Sequence, residues 1–164
     1  MEITEQVSSK DLRGADIFAG LSDDNLEQIA KSCKQHLYEA GEYCAVQGEM
    51  TDHLFIANGG KVAIEMRIHV APHTHTVTIA TLTKGSLCAW SALVPPHTLT
   101  ASVKCVERTP ILSIAASDMQ RIFEKEPSIE RTVMKNLAGM ISSRLRDTHT
   151  QMVRLIVEVI KEGR

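Results

Sequence analysis

The sequence predicts a mainly β fold with helices attached: a barrel or jelly roll of many short strands, entered through one short helix and left through one long one. Three observations carry this. Between residues 36 and 114, runs of four to six residues alternate in polarity and are separated by Gly, Asn, Asp and Pro, the pattern of half-buried strands. From residue 128 to 162 there is no Pro and one Gly, and apolar residues recur every three or four positions. Ahead of the strands, Leu26, Ile29 and Ala30 repeat at helical spacing.

The elements follow in order. Residues 1–15 are a polar N-terminal segment, expected to be loosely held. Ser22 is an N-cap with Asp23 and Asp24 in the first turn, so residues 23–33 read as a short amphipathic helix. Strands are expected around His36–Tyr38, Tyr43–Val46 and His53–Ala57, each ending in a turn. Asn58-Gly59-Gly60 is a tight-turn signal, because these residues tolerate positive φ. Lys61–Ile68 alternates again, Val70–Thr76 reads as a hairpin tip, and Val77–Leu82 as the return strand. Thr100–Val106 and Ile111–Ile114 complete the strands, with Arg108-Thr109-Pro110 between them. Ser117 or Asp118 then caps a helix to Lys125, interrupted by Pro127. The last helix carries Ile129, Val133, Leu137, Ile141, Leu145, Thr148, Met152, Leu155 and Val159 on one stripe. A helix of this length extends about 50 Å, too far to pack wholly on a small barrel. The stripe therefore predicts a homodimer through residues 128–160, with Thr148 as its one polar break. The division expected is 1–15, 16–127 for the barrel domain and 128–164 for the long helix.

Composition excludes several classes. The 164 residues are 43% hydrophobic and 23% charged, as in a globular protein. No apolar run approaches the roughly 18 residues of a membrane span. The N-terminus MEITEQVSSKDLRG lacks the basic cap and apolar core of a secretory signal. Lys and Arg total 18 against 20 Asp and Glu, so the chain is not a basic nucleic-acid binder. Cys33, Cys44, Cys88 and Cys105 are scattered without a C-x-x-C, which indicates reduced core thiols and a cytoplasmic setting, with no metal site. No G-x-S-x-G, P-loop or H-E-x-x-H is present, so no enzyme is expected.

In combination, several stretches resemble the cyclic-nucleotide-binding domain of the Crp/Fnr family. Phe18-Ala19-Gly20-Leu21-Ser22 is similar to its opening, and Ala40-Gly41-Glu42 and Gly48-Glu49 to its first turns. Asp52-His53-Leu54-Phe55-Ile56 with Gly60-Lys61-Val62 is similar to its central hairpin. Leu82 and Gly85, followed by Thr100-Ala101-Ser102-Val103, frame its phosphate-binding cassette. The resemblance covers residues 16–160 and implies a cyclic-nucleotide-binding-like β-barrel (a double-stranded β-helix or jelly roll), flanked by an N-terminal helix and a long C-terminal dimerisation helix. Family transcription factors continue into a helix-turn-helix domain; this chain ends at Arg164, which implies a stand-alone regulatory domain with no direct DNA contact.

The resemblance places the ligand cassette at Ala89, Trp90, Ser91, Ala92, His97, Thr98, Leu99, Thr100 and Ala101, and a helix contact to ligand or dimer partner at Thr148 and His149. In the family an Arg and a short helix N-terminus hold the cyclic phosphate and a Glu holds the ribose. Here Trp90 stands where that Glu would be, and Thr98 or Leu99 where the Arg would be. Residues 85–103 contain no Lys, Arg, Asp or Glu; His97 is their only titratable group. Losing a buried Arg partner costs about 2–5 kcal/mol at an interface. Tight cyclic AMP binding is therefore not expected, no cofactor is implied, and a flatter, more apolar ligand suits Trp90, Leu87, Leu93 and Leu99 better.

Each assignment has a plainer alternative. Trp90 is a pocket lid or core filler; Thr148 touches ligand or sets dimer register; His149 touches ligand or is a solvated helix residue. His69, His73 and His75 gather a metal or, as favoured here, decorate an exposed loop. The first hypothesis is a cytoplasmic ligand-sensing dimer acting on an effector protein whose identity the sequence does not supply. The second is a structural or interaction module whose cassette has collapsed around Trp90. The third, a metal- or haem-linked sensor, has only the histidines to recommend it.

Overall fold

The computed structural model describes residues 2–3 and 6–163. Its elements, in chain order, are β1 (Glu2–Ile3), α1 (Ser9–Arg13), α2 (Asp23–Ala30), β2 (Cys33–Tyr38), β3 (Tyr43–Ala45), β4 (His53–Ala57), β5 (Lys61–Val70), β6 (His73–Thr83), β7 (Leu87–Ala89), β8 (Ser102–Cys105), β9 (Thr109–Ala115), α3 (Ala116–Lys125) and α4 (Pro127–Glu162). Single 3-10 turns occupy Asp16–Phe18 and Ser91–Leu93.

The strands form two facing sheets, ordered β1-β2-β9-β4-β7 and β3-β8-β5-β6, and all their pairings are antiparallel. This is the expected jelly roll. Strand alternation divides the apolar residues between two cores. Leu54, Ile56, Leu112 and Ile114 point outward from the first sheet to meet Phe18, Leu26, Ile29, Met119, Phe123, Ile129 and Val133 of the helical layer. Ala57, Val62, Val103, Cys105 and Ile111 point inward and fill the space between the sheets.

Several local expectations are corrected. The polar start contains β1 and the helical turn α1, where the Asp11 carboxylate accepts from the Ser8 backbone N–H at 2.9 Å and hydroxyl at 2.8 Å. The turn at Asn58-Gly59-Gly60 does not close a hairpin. It carries the chain from β4 in one sheet to β5 in the other, so these strands do not pair. Strand β9 begins earlier than expected and includes Pro110, opposite Leu37.

The hairpin tip is narrower than read from sequence. Residues 73–83 belong to β6, leaving Ala71 and Pro72 as the turn. Register pairs Ile68 with His75 and Val70 with His73, so alternation puts these on one face and His69, paired with Thr74, on the other. The His73 and His75 rings are 6.3 Å apart, and His69 Nδ1 lies 3.2 Å from Thr74 Oγ1.

Helix α2 starts as expected, with Ser22 Oγ accepting from the Asn25 N–H at 3.2 Å. Helix α4 runs unbroken for 36 residues, about 54 Å, with Pro127 in its first turn, where a missing N–H is harmless. Only Ile129, Val133 and Leu137 of this helix are buried. Beyond them Leu145, Met152, Leu155 and Val159 are exposed, Leu155 at 62% and Val159 at 68%.

Candidate ligand-binding site

Strand β7 delivers the chain from the core to Trp90, after which the 3-10 turn and a loop lead back into β8. The loop is held by the segment before β4. Gly48 N–H donates to the Leu99 carbonyl at 2.8 Å, Leu99 N–H to the Glu49 carbonyl at 2.8 Å, and Thr51 N–H to the His97 carbonyl at 2.9 Å. Gln47 N–H donates to Ser102 Oγ at 2.9 Å. His97 itself has a left-handed φ of +62°, which turns the loop sharply.

Between this loop, the inner face of the second sheet and the middle of α4 lies a cavity of about 290 Å³. Ile64, Ile79, Cys88, Leu99 and Val103 make its walls apolar, and α4 closes it with Ile141, Arg144, Leu145 and Thr148. A second space of about 380 Å³ shares Ile64, Ile79, Arg144 and Thr148 and continues along α4 past Asp147, Gln151 and Arg154. Burial pushes the Cys88 thiol up to about 12, so it lines the cavity as a neutral apolar group.

Of the residues expected here, Ala89, Trp90, Ser91, Leu99, Thr100, Ala101 and Thr148 do line the cavity. Ala92 and His97 do not. They face a separate depression with Thr51, Asp52 and Ala116. The 3-10 turn is too short to hold its residues on one side, and His97 Nδ1 donates to the Ser91 carbonyl at 3.0 Å, which orients the ring. Thr98 bridges across to Met50 instead. His149 lies one residue past Thr148 and is exposed on a different face of the helix. Thr148 Oγ1 donates to the Arg144 carbonyl at 2.9 Å, one turn back along the helix.

The group that sequence reasoning missed is Arg144. Its guanidinium carbon lies 4.5 Å from the centroid of the Trp90 ring, and Nη2 donates to the Leu87 carbonyl at 2.7 Å. It is half-buried, and loss of solvent draws its pKa below the usual arginine range. It makes no ion pair with a carboxylate among the described residues. An arginine still holds its proton under such conditions, so the cavity has a cation. The cation comes from the long helix and not from the cassette. The four-residue spacing from Arg144 to Thr148 was the available signal, since it puts both on one helical face.

The chemistry of this donor set is one planar cation, a few hydroxyls and a large apolar wall. That combination orients a small ligand through a single anionic group.

The comparisons with known proteins bear on the same region. A family model for the cyclic nucleotide-binding domain matches residues 35–126, which run from within β2 through β9 and include the cassette. The chain is 26% identical over 147 residues to the cyclic AMP receptor protein of Thermus thermophilus, covering 90% of this chain and 65% of that protein. It is 28% identical over 104 residues to the cGMP-dependent protein kinase egl-4 of Caenorhabditis briggsae, covering 63% of this chain and 13% of the kinase. The chain thus spans less than two thirds of these relatives. Among solved structures, the Thermus thermophilus catabolite activator protein superposes with a TM-score of 0.69 at 26% identity, over 86% of this chain and 63% of that one. A cyclic nucleotide-binding domain from Methylobacillus flagellatus superposes with a TM-score of 0.80 at 14% identity, over 93% and 88%. The cassette, the barrel around it and the helix that closes it are those of a cyclic nucleotide-binding domain, and the chain belongs to that family.

Proposed function

We propose that this protein is a ligand-sensing regulatory domain that works as a homodimer, with α4 serving both as the wall of the pocket and as the dimer element. The observation that carries it is Arg144. The one cationic side chain on the cavity wall sits on the same rigid helix whose distal half exposes Leu145, Met152, Leu155 and Val159. A ligand that engages Arg144 changes which position of α4 is favoured, and that position is what a second copy would meet. With Thr148 between Leu145 and Met152, these residues alternate three and four apart, the seam of a two-stranded coiled coil.

The exposed apolar stripe of α4 is the surface through which the domain would pass its signal to a protein partner. The reading as cytoplasmic rests on four free cysteines. Cyclic AMP is not its tight ligand, because the cassette supplies no cation and no carboxylate. The open cavity beside Trp90 favours sensing over the alternative, a module whose cassette has collapsed; the exposed apolar helix favours an interaction role under either reading.

Thermal denaturation of the purified protein with cyclic AMP, cyclic GMP and a panel of small organic acids tests this, with Trp90 fluorescence in parallel. A saturable shift with an organic acid, and none with millimolar cyclic nucleotide, is the expected result. A strong shift with cyclic AMP would show that the cassette works without its Arg. Silence across the panel would leave the interaction module.

A further inference from the structure

We infer that the ligand of the cavity is a small organic monocarboxylate with a flat, apolar body, its carboxylate paired to Arg144. This rests on the reading of the cavity as a ligand site and adds the chemistry of the ligand. The guanidinium is already fixed in two directions: one face lies over Trp90, and one Nη2 proton is held by the Leu87 carbonyl. The rest of its planar edge has no protein acceptor among the described residues, and Arg144 lines both adjoining spaces. A planar fork with a free edge, pre-oriented by a stack and a backbone bond, matches a carboxylate in two parallel hydrogen bonds.

Size and polarity narrow the class. The cavity of about 290 Å³ is about twice the engineered cavity of roughly 150 Å³ that admits benzene. It therefore takes one ring with a short side chain, or a compact branched chain. Beyond Arg144 the walls are mostly apolar, with Ile79, Leu99, Ile141 and Leu145 contacting carbon and Ser91 and Thr100 adding hydroxyls on the cassette side. One cation balances one negative charge. A ribose phosphate presents several polar oxygens, part of which would lie against these apolar side chains at the desolvation penalty of unpaired polar groups.

The test uses the intact protein and three probes: phenylacetate, its neutral isostere phenylacetamide, and cyclic AMP, at matched ionic strength. Phenylacetate is expected to change Trp90 fluorescence saturably. Phenylacetamide should bind at least tenfold more weakly, as should phenylacetate to the Arg144→Gln variant, whose fold is checked by circular dichroism. The acid–amide comparison needs no mutation, so it stands if that variant fails to fold. Equal binding of acid and amide, or unchanged binding to Arg144→Gln, overturns the carboxylate assignment. Saturable binding of cyclic AMP without binding of phenylacetate overturns it too, while leaving the sensing role intact. No response to any probe overturns it, and if the wider panel is also silent, the sensing role falls with it.

Discussion

Arg144 lies over the ring of Trp90, with 4.5 Å between guanidinium carbon and ring centroid, and so ties the long helix to the cassette. The bond from Nη2 to the Leu87 carbonyl adds a second tie to the strand that precedes Trp90. Cation–π contacts contribute about 0.5–2 kcal/mol, and hydrogen bonds from charged groups about 1.5–3 kcal/mol. Arg144→Ala should therefore lose about 2 kcal/mol in urea unfolding at fixed protein concentration. Arg144→Lys should recover only part of this, because an ammonium lacks the planar stack. An alanine variant of full stability would show that the tie contributes nothing.

The distal half of α4 is expected to hold two copies together. Leu155→Glu and Val159→Glu place charge on the exposed stripe, at sites that touch no part of the barrel core. Each should weaken self-association more than tenfold in sedimentation equilibrium and leave the β-sheet circular dichroism unchanged. Wild-type protein that sediments as a monomer at high concentration would remove the dimer from the proposal.

Two glycines should respond in opposite directions. Gly85 has φ +89°, donates to the Ala57 carbonyl at 2.8 Å and accepts from Asp16 N–H at 2.9 Å. A Cβ there would collide with the Gly14 carbonyl oxygen. Gly85→Ala should cost about 3 kcal/mol, from left-handed strain and overpacking together. Gly139, inside α4, has open space around its would-be Cβ, so Gly139→Ala should stabilise the protein by up to about 1 kcal/mol. Chemical denaturation of the two variants checks both signs.

Stability should fall on mild acidification, in part through His36. Its Nε2 lies 3.2 Å from Ser113 Oγ, and its Nδ1 is buried with no partner among the described residues. Burial first, and then the charges of Lys34 and His53, lower its pKa from the ordinary histidine value. The folded protein then resists a proton that the unfolded chain accepts below about pH 6.5. His36 thus contributes full stability above that pH. The contribution declines as pH falls towards the folded-state pKa and is constant below it. His36→Gln should flatten the dependence of unfolding free energy on pH between about 7.5 and 5. Identical slopes for wild type and variant would refute the assignment.

Much of the architecture was legible from local pattern. Alternation marked the strands, Ser22 and its acidic neighbours marked the start of α2, and the three–four repeat marked α4 almost to its last residue. These signals are local because a strand or a helix declares which face is buried through its own period. The emptiness of residues 85–103 in charge was equally plain, and it stands as the reason to look beyond cyclic AMP.

Other features were decided by contacts between distant segments. Asn58-Gly59-Gly60 reads as a tight turn, but its destination was not legible: the Pro110 carbonyl accepts the Asn58 N–H at 2.9 Å and the chain crosses between sheets. Ala92 and His97 sit in the expected cassette, but a three-residue turn rotates them away from the cavity that Trp90, Leu99 and Thr100 share. Above all, the sequence by itself determined a cassette without a cation, and only the tertiary structure returned one, by laying Arg144 of α4 over Trp90. The physical reason is that composition and period act within a segment, whereas a binding site is a meeting of side chains that only packing brings within a few ångströms of one another.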